Sequence, residues 1–244
     1  MPKGLKAIFL AAAFGCSALL PQAVAGSLSV SPTLIDQAAP NNAAAVTLQT
    51  PGKEPIRIQM RIFRWTQIDG EDRLEPTRDV VASPPMLKIA PGTDYTVRVV
   101  RTVKRPVVGE ESYRLLVDQL PEPKDRKANR VNLVIRHSIP VFFRAGDERG
   151  PVVGWSAVKT KQELKLTVRN DGDHRIRLAN LVVKAASGKV LRKVNGLAGY
   201  VLSHSAMTWT ISGAGDVSAG SELDIAGLGE GGPFHGTSLV KPSP

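Results

Sequence analysis

From Ser27 to the C-terminus, apolar residues recur at every second position in short runs, and each run is closed by turn residues. A strand sends alternate side chains to opposite faces, whereas an amphipathic helix needs apolar residues at every third and fourth position. "IRIQMRIFRW" (56–65) shows the pattern: Ile56, Ile58, Met60 and Ile62 fall on one face, and Arg57, Gln59, Arg61 and Phe63 on the other. The run "AAAVTLQT" stops at "PGKEP", and "DGEDR" reads as a turn. "PPMLKIAPG" leads into "YTVRVVR", then "SYRLLVDQLP", then "NRVNLVIRHSIPVFFRA" (129–145). About seven strands at this spacing predict an immunoglobulin-like sandwich, and no segment of useful length has the helical period.

The strand signal lapses at "RAGDERGP" and resumes with "VVGWSAVKT". The expected organisation is therefore a first β domain over 26–145 and a second over 146–244, the latter ending in a Gly/Pro-rich tail. "NDGD" (170–173) reads as a hairpin turn between the alternating runs "ELKLTV" and "RIRLANLVV". The fold class is all-β, with two sandwiches.

The start of the chain has a different character. Lys3 and Lys6 precede an apolar run from Ala7 to Leu20, followed by "PQAVAG" with small Ala23 and Ala25. That is the form of a secretory signal peptide over 1–25. The run is shorter than the roughly 20 residues a membrane-spanning helix needs. No later segment is long and apolar enough to span, so no membrane insertion of the mature chain is expected. Cys16, the one cysteine, lies inside this leader. Lipid attachment there is the alternative, and bulky Phe14 fits it poorly. A mature chain without cysteine relies on burial rather than disulfides.

The net charge of +10 would suit a nucleic-acid binder, but Lys and Arg are scattered among strands and aromatics are 5% of the chain, too few for stacking platforms. No nucleic acid is expected as a partner. His137, His174, His204 and His235 have no metal-ligand spacing. Asp171 and Asp173 supply too few ligands for a calcium loop, and "SHS" (203–205) is not a nucleophile elbow. No cofactor, metal or catalytic residue is expected, and the chain reads as a non-enzyme.

"ASPPMLKIAPGTDYTVRVVR" (82–101), "EESYRLLVDQLP" (110–121) and "VNLVIRHSIPVFFRA" (131–145) together resemble the PapD-like periplasmic pilus chaperones. The order of Pro-Pro, Pro-Gly, Arg, Glu-Ser and a long last strand is that family's. The resemblance is weaker in "LTVRNDGDHRIRLANLVV" and "GYVLSHSAMTWTI". It implies two immunoglobulin-like domains set in an L around a cleft, a periplasmic location, and two partners: pilin subunits and an outer-membrane usher. Its mode of action is donor-strand complementation, in which the last strand of the first domain fills the groove of an incomplete pilin.

On that pattern Val131, Leu133 and Ile135 are the donor side chains. Alternation alone leaves the other reading open, that these three face their own core. Many members of the family hold the pilin carboxylate with an Arg in the first strand and a Lys in the last. Here the Pro32-Thr33 pair and Pro140 stand at those positions, a departure that resembles the archaic branch assembling spore-coat-U-type pili. The family match then makes Arg98 the first cation for the carboxylate, with Arg136 and Arg101 after it. Glu111 and Arg144 match the pair that clasps the two domains, and Asp224 or Glu230 would be its second-domain acid. The rival class is an exported immunoglobulin-like adhesin or capsule-assembly protein, which would have no free donor strand.

Overall fold

The computed structural model describes residues 28–121, 134–146, 150–160 and 163–243. The leader segment 1–25 and donor positions Val131 and Leu133 lie outside them. The described residues form strands and no helix.

Two sheets make the first sandwich. One runs in the order β1 (Ser29–Ser31), β3 (Ala43–Gln49), β8 (Asp94–Arg101), β6 (Val80–Ser83). The other runs β2 (Ile35–Ala38), β10 (Arg136–Arg144), β9 (Glu110–Leu120), β4 (Ile56–Ile68), β5 (Glu71–Pro76), with β7 (Met86–Ile89) also on β4. Pro32 stands between β1 and β2, where the chain leaves one sheet for the other. A residue without an N–H ends one ladder cheaply there. Ile56, Ile58, Met60 and Ile62 face the core as the alternation requires, joined by Val97 and Val99 from β8 and Leu115 and Val117 from β9.

β4 outruns this core. Its 13 residues continue beyond Ile62, and Trp65 lands on the face turned away from the core. β10 is paired unevenly. β9 flanks it over Arg136–Arg144, but β2 covers only Val141–Arg144. Among the described residues, Arg136–Pro140 thus has a strand on one side only. Pro140 suits such an edge, since it has no N–H to add to a ladder.

The second half is one continuous sheet path: β14 (Val190–Lys193), β13 (Ile176–Ala185), β17 (Glu222–Gly229), β18 (Gly232–Pro242), β11 (Val153–Lys159), β12 (Glu163–Asn170), β16 (Ser205–Ser212), with β15 (Leu197–Val201) on β13. β18 makes the turn, pairing with β17 over Gly232–Leu239 and with β11 over Val240–Pro242. Leu164, Leu166, Leu181, Val183, Leu223 and Ile225 fill the interior.

The "NDGD" turn is not the hairpin that its composition suggests. β12 pairs with β11 and β16, and β13 with β14, β15 and β17, so the turn crosses from one layer to the other. Asn170, fully buried, holds the crossing. Its amide donates to the His174, Val201 and Leu202 carbonyls, and its oxygen accepts from the Val152 and Gly172 N–H groups. Five bonds to backbone outweigh the local turn preference.

Leu115, at the centre of the first core with no exposed surface, sets the scale of packing. Leu115→Ala is expected to cost about 2–5 kcal/mol, read as a lowered midpoint in urea denaturation.

Candidate functional site

The outward face of the six-stranded sheet carries the site. Even-numbered positions of β9 and β10 point to it, because odd ones such as Tyr113, Leu115, Val141 and Phe143 point to the core. At the end nearest the second half, Trp65, Phe142, Tyr200 and Leu202 form a buried apolar cluster joining the halves. Trp65 and Tyr200 meet edge to face at 5.7 Å, and Phe142 is 5.9 Å from each. Two guanidiniums stack on this cluster: Arg175 lies 3.7 Å from the Phe142 ring centre, and Arg114 lies 3.7 Å from that of Trp65.

Arg175 comes from the layer-crossing turn and is 3% exposed. Its Nη1 donates to Glu110 at 2.5 Å, and its Nη2 donates to Asp36 at 2.9 Å and forms an ion pair with Glu230 at 2.9 Å. Its backbone N–H donates to Glu110 as well, at 3.2 Å. Arg144 Nε adds a bond to Asp36 at 3.0 Å. Burial pushes Glu110 up, further than Arg175 pulls it down. Burial also acts to raise Asp36, but hydrogen bonds and charges from Arg175 and Arg144 outweigh it and hold that carboxyl below its usual range.

This is a clasp between the halves, and it corrects the expected one. Glu111 and Arg144 are not brought together. Glu111 stands opposite Phe143 in the β9–β10 register and so points to the core side, whereas Arg144 stands opposite Glu110 on the outward face. Glu111 instead takes Arg101, through Nε at 2.8 Å and Nη2 at 2.9 Å, and the Tyr113 hydroxyl at 3.0 Å. Burial would raise Glu111, but these bonds and the nearby Arg101 and Arg105 charges hold it low. Glu230 does join the clasp, from the turn between β17 and β18. Asp224 pairs with His235 at 2.5 Å and is no part of it.

The three arginines singled out for a carboxylate do not converge. Arg98 is exposed on the outer face of the other sheet, in register with Ala45 and Ser83. Arg101 is committed to Glu111. Arg136 lies on the outward face of the six-stranded sheet, where it and Arg61 share Asp118. Ile135 is half-buried at the mouth of the open edge, and its carbonyl accepts from the Gln119 N–H at 3.0 Å.

Arg114 was missed. It stands directly across from Pro140 in the β9–β10 register. It is half-buried, and its guanidinium has an aromatic face beside it but no carboxylate within ion-pair distance among the described residues. Burial lowers its pKa, though Asp72 and Tyr200 oppose the shift. The other arginines of this face are engaged: Arg61 and Arg136 with Asp118, Arg144 with Asp36, and Arg57 with the Pro121 carbonyl. A cleft of about 520 Å³ between the halves contains Arg64 and Arg105, which Asp79 and Glu111 already balance. The signal for Arg114 was its place among Ser112, Leu116 and Asp118 on the outward face, readable once Pro140 was seen to lack a charge.

The described residues form two sandwiches joined by a buried ion cluster, with β10 paired on one side only over Arg136–Pro140. Residues 27–146 match the PapD N-terminal domain of the pili and flagellar-assembly chaperones, and over most of its length the chain is similar to pilus-assembly chaperones. A fimbrial chaperone of Escherichia coli (strain K12), YhcA, is 23% identical over 174 residues, 71% of this chain and 73% of its own. The chaperone in the CsuC–CsuE pre-assembly complex of archaic Csu pili from Acinetobacter baumannii is 27% identical, with a TM-score of 0.69 over 90% of this chain and all of that one. The chaperone–pilin complex of SafB and SafA from Salmonella enterica shares the fold at 21% identity, with a TM-score of 0.59 over 86% of this chain and 96% of its match. These relatives are chaperones, not enzymes. No helix among the described residues is long and apolar enough to cross a membrane.

Glu110→Ala leaves the buried Arg175 short of one carboxylate and is expected to cost about 3–5 kcal/mol. Glu110→Gln keeps a hydrogen-bond acceptor and is expected to cost less, as read by calorimetric melting of both variants. Acidification acts through Glu111 in the opposite sense to Glu110. A depressed carboxyl contributes stability that is complete above the unfolded value of about 4.3 and is lost as pH falls through the lower folded value. A raised one, Glu110, takes its proton first and opposes stability as pH rises. Glu111→Gln should therefore flatten the loss of stability below about pH 4.3, measured by urea melts across that range.

Proposed function

We propose that this chain is a periplasmic chaperone of the archaic chaperone–usher type. It holds pilin subunits by donor-strand complementation and passes them to an outer-membrane usher, its two sandwiches forming an L with the subunit in the angle. The single observation that carries the reading is the half-paired β10, whose open edge over Arg136–Pro140 leads back to Ile135. A strand with one free ladder accepts another by main-chain hydrogen bonding, and alternate side chains give the fit. Val131, Leu133 and Ile135 are the side chains that enter the subunit. The match to a chaperone from archaic Csu pili supports the branch, and the leader reading of 1–25 supports export.

Arg114 is the carboxylate anchor in this proposal, in place of Arg98, Arg101 and Arg136. A buried carboxylate needs a cation that is fixed and not already balanced. Arg114 is stacked on Trp65, lies one strand from the open edge, and has no carboxylate partner among the described residues. A charge-assisted contact to it is stronger than a neutral hydrogen bond.

Copurification from a periplasmic extract, with mass spectrometry of the bound subunit, tests both parts. Arg114→Ala should keep the melting temperature and lose most of the subunit. Leu133→Glu should also keep its melting temperature without client and lose the subunit, because a charge cannot enter the apolar groove. A Leu133→Glu chain that is itself unfolded would place Leu133 in its own core and defeat the donor reading.

A further inference from the structure

The anchor is completed by the second sandwich, and one hairpin fixes where that sandwich stands. Arg114 has Trp65 at 3.7 Å and Tyr200, from the other half, at 5.8 Å. The β4–β5 hairpin runs past its own core to the second half. Gln67 there grips the backbone at the end of β15 with both ends of its amide, donating to the Tyr200 carbonyl at 2.8 Å and accepting from the Leu202 N–H at 2.9 Å. Asp72, across the hairpin, accepts from Gln67 Nε2 at 2.9 Å and from Trp65 Nε1 at 2.8 Å. Both side chains are thus tied to one carboxylate. At the tip, the Gly70 carbonyl accepts from the Thr208 N–H of β16 at 3.1 Å. A Cβ on Gly70 would stand 2.6 Å from Thr208 Oγ1 and 2.9 Å from its Cβ, so the tip touches the second sandwich with no room to spare. Asp69 and Gly70 both have positive φ, at 55° and 78°, as a tight two-residue hairpin requires.

We propose that the β4–β5 hairpin is a spacer, with Gln67 and Gly70 as positioning residues that hold the second sandwich at the distance where Tyr200 closes on Trp65 and keeps Arg114 in place for a carboxylate. The proposal rests on the anchor reading of Arg114. The hydrogen bonds of Gln67 are to backbone, so they fix the position of β15 whatever side chains it carries. Trp65 is held by Asp72 from the hairpin and by Tyr200 from the second half, so a shift between the halves moves the ring on which the guanidinium lies.

Spin labels at Thr96→Cys and Leu239→Cys, both exposed and in opposite halves, report the spacing, with Cys16→Ala removing the remaining thiol. A short alternating valine–threonine peptide with a free terminal carboxylate, and its amide, report the anchor. The parent protein should show one narrow distance and prefer the carboxylate peptide. Gln67→Ala and Gly70→Ala should broaden the distance and reduce that preference about tenfold, a change of roughly 1.4 kcal/mol. Adding Thr208→Gly to Gly70→Ala relieves the contact but leaves the φ strain, and should restore both. A narrow distance in both single variants, or a broadened distance with the preference intact, would overturn the spacer. Arg114→Ala should abolish the preference with a narrow distance. If it keeps the preference, the anchor reading fails, and the spacer loses its purpose even where the distance broadens.

Discussion

The joint between the sandwiches depends first on one buried guanidinium. Arg175 is almost wholly removed from water, and such a charge costs several kcal/mol unless it is paired. Its partners come from both sides: Glu110 and Asp36 from the first sandwich, Glu230 from the second. Separating the halves would leave Arg175 with one half-exposed carboxylate and leave Glu110 unbalanced. An apolar joint of the same size would tolerate sliding, because burial is indifferent to direction. Hydrogen bonds at 2.5–2.9 Å on two nitrogens of one rigid fork do not. The cluster therefore specifies one arrangement more than it adds stability.

The same aromatic cluster carries a second arginine in the opposite electrostatic state. Arg175 and Arg114 sit at equal distances from their rings, so both gain from the π face, by up to about 2 kcal/mol when desolvated. One is saturated by carboxylates and the other is not. The difference is geometric. Glu110 is opposite Arg144 at the covered end of β10, where β2 brings in Asp36. Arg114 is opposite Pro140, beyond the stretch that β2 covers, and no acid among the described residues pairs with it. Glu110, which pairs with Arg175, and Arg114 thus stand only four residues apart on one strand.

The core was legible because one face of each strand is buried and its period is two. Ile56 to Ile62 could be assigned without knowing what covers them. The clasp was not legible to the residue. Glu110 and Glu111 are adjacent acids, and a step of one residue along a strand exchanges the two faces of the sheet. The family match chose Glu111, and the register gives the joint to Glu110. Arg175 is 65 residues from Glu110 and 139 from Asp36, separations at which a single sequence carries no pairing signal. Its turn misled in another way, since Asn-Asp-Gly-Asp is hairpin chemistry, and the decisive fact, that Asn170 also bonds the distant backbone of Val152, Val201 and Leu202, lies in three dimensions.

The open edge of β10 carries Arg136, and its partner acid Asp118 on β9 is shared with Arg61 of β4. The border therefore keeps an excess of positive charge. Two copies of this chain meeting edge to edge would bring that excess against itself, and like charges facing each other across a strand pair are unfavourable. The repulsion is that of surface charges and weakens over about 10 Å at 0.1 M salt. A partner strand with neutral or acidic flanks meets no such resistance. For two like edges, ionic strength therefore sets how strongly that repulsion is felt.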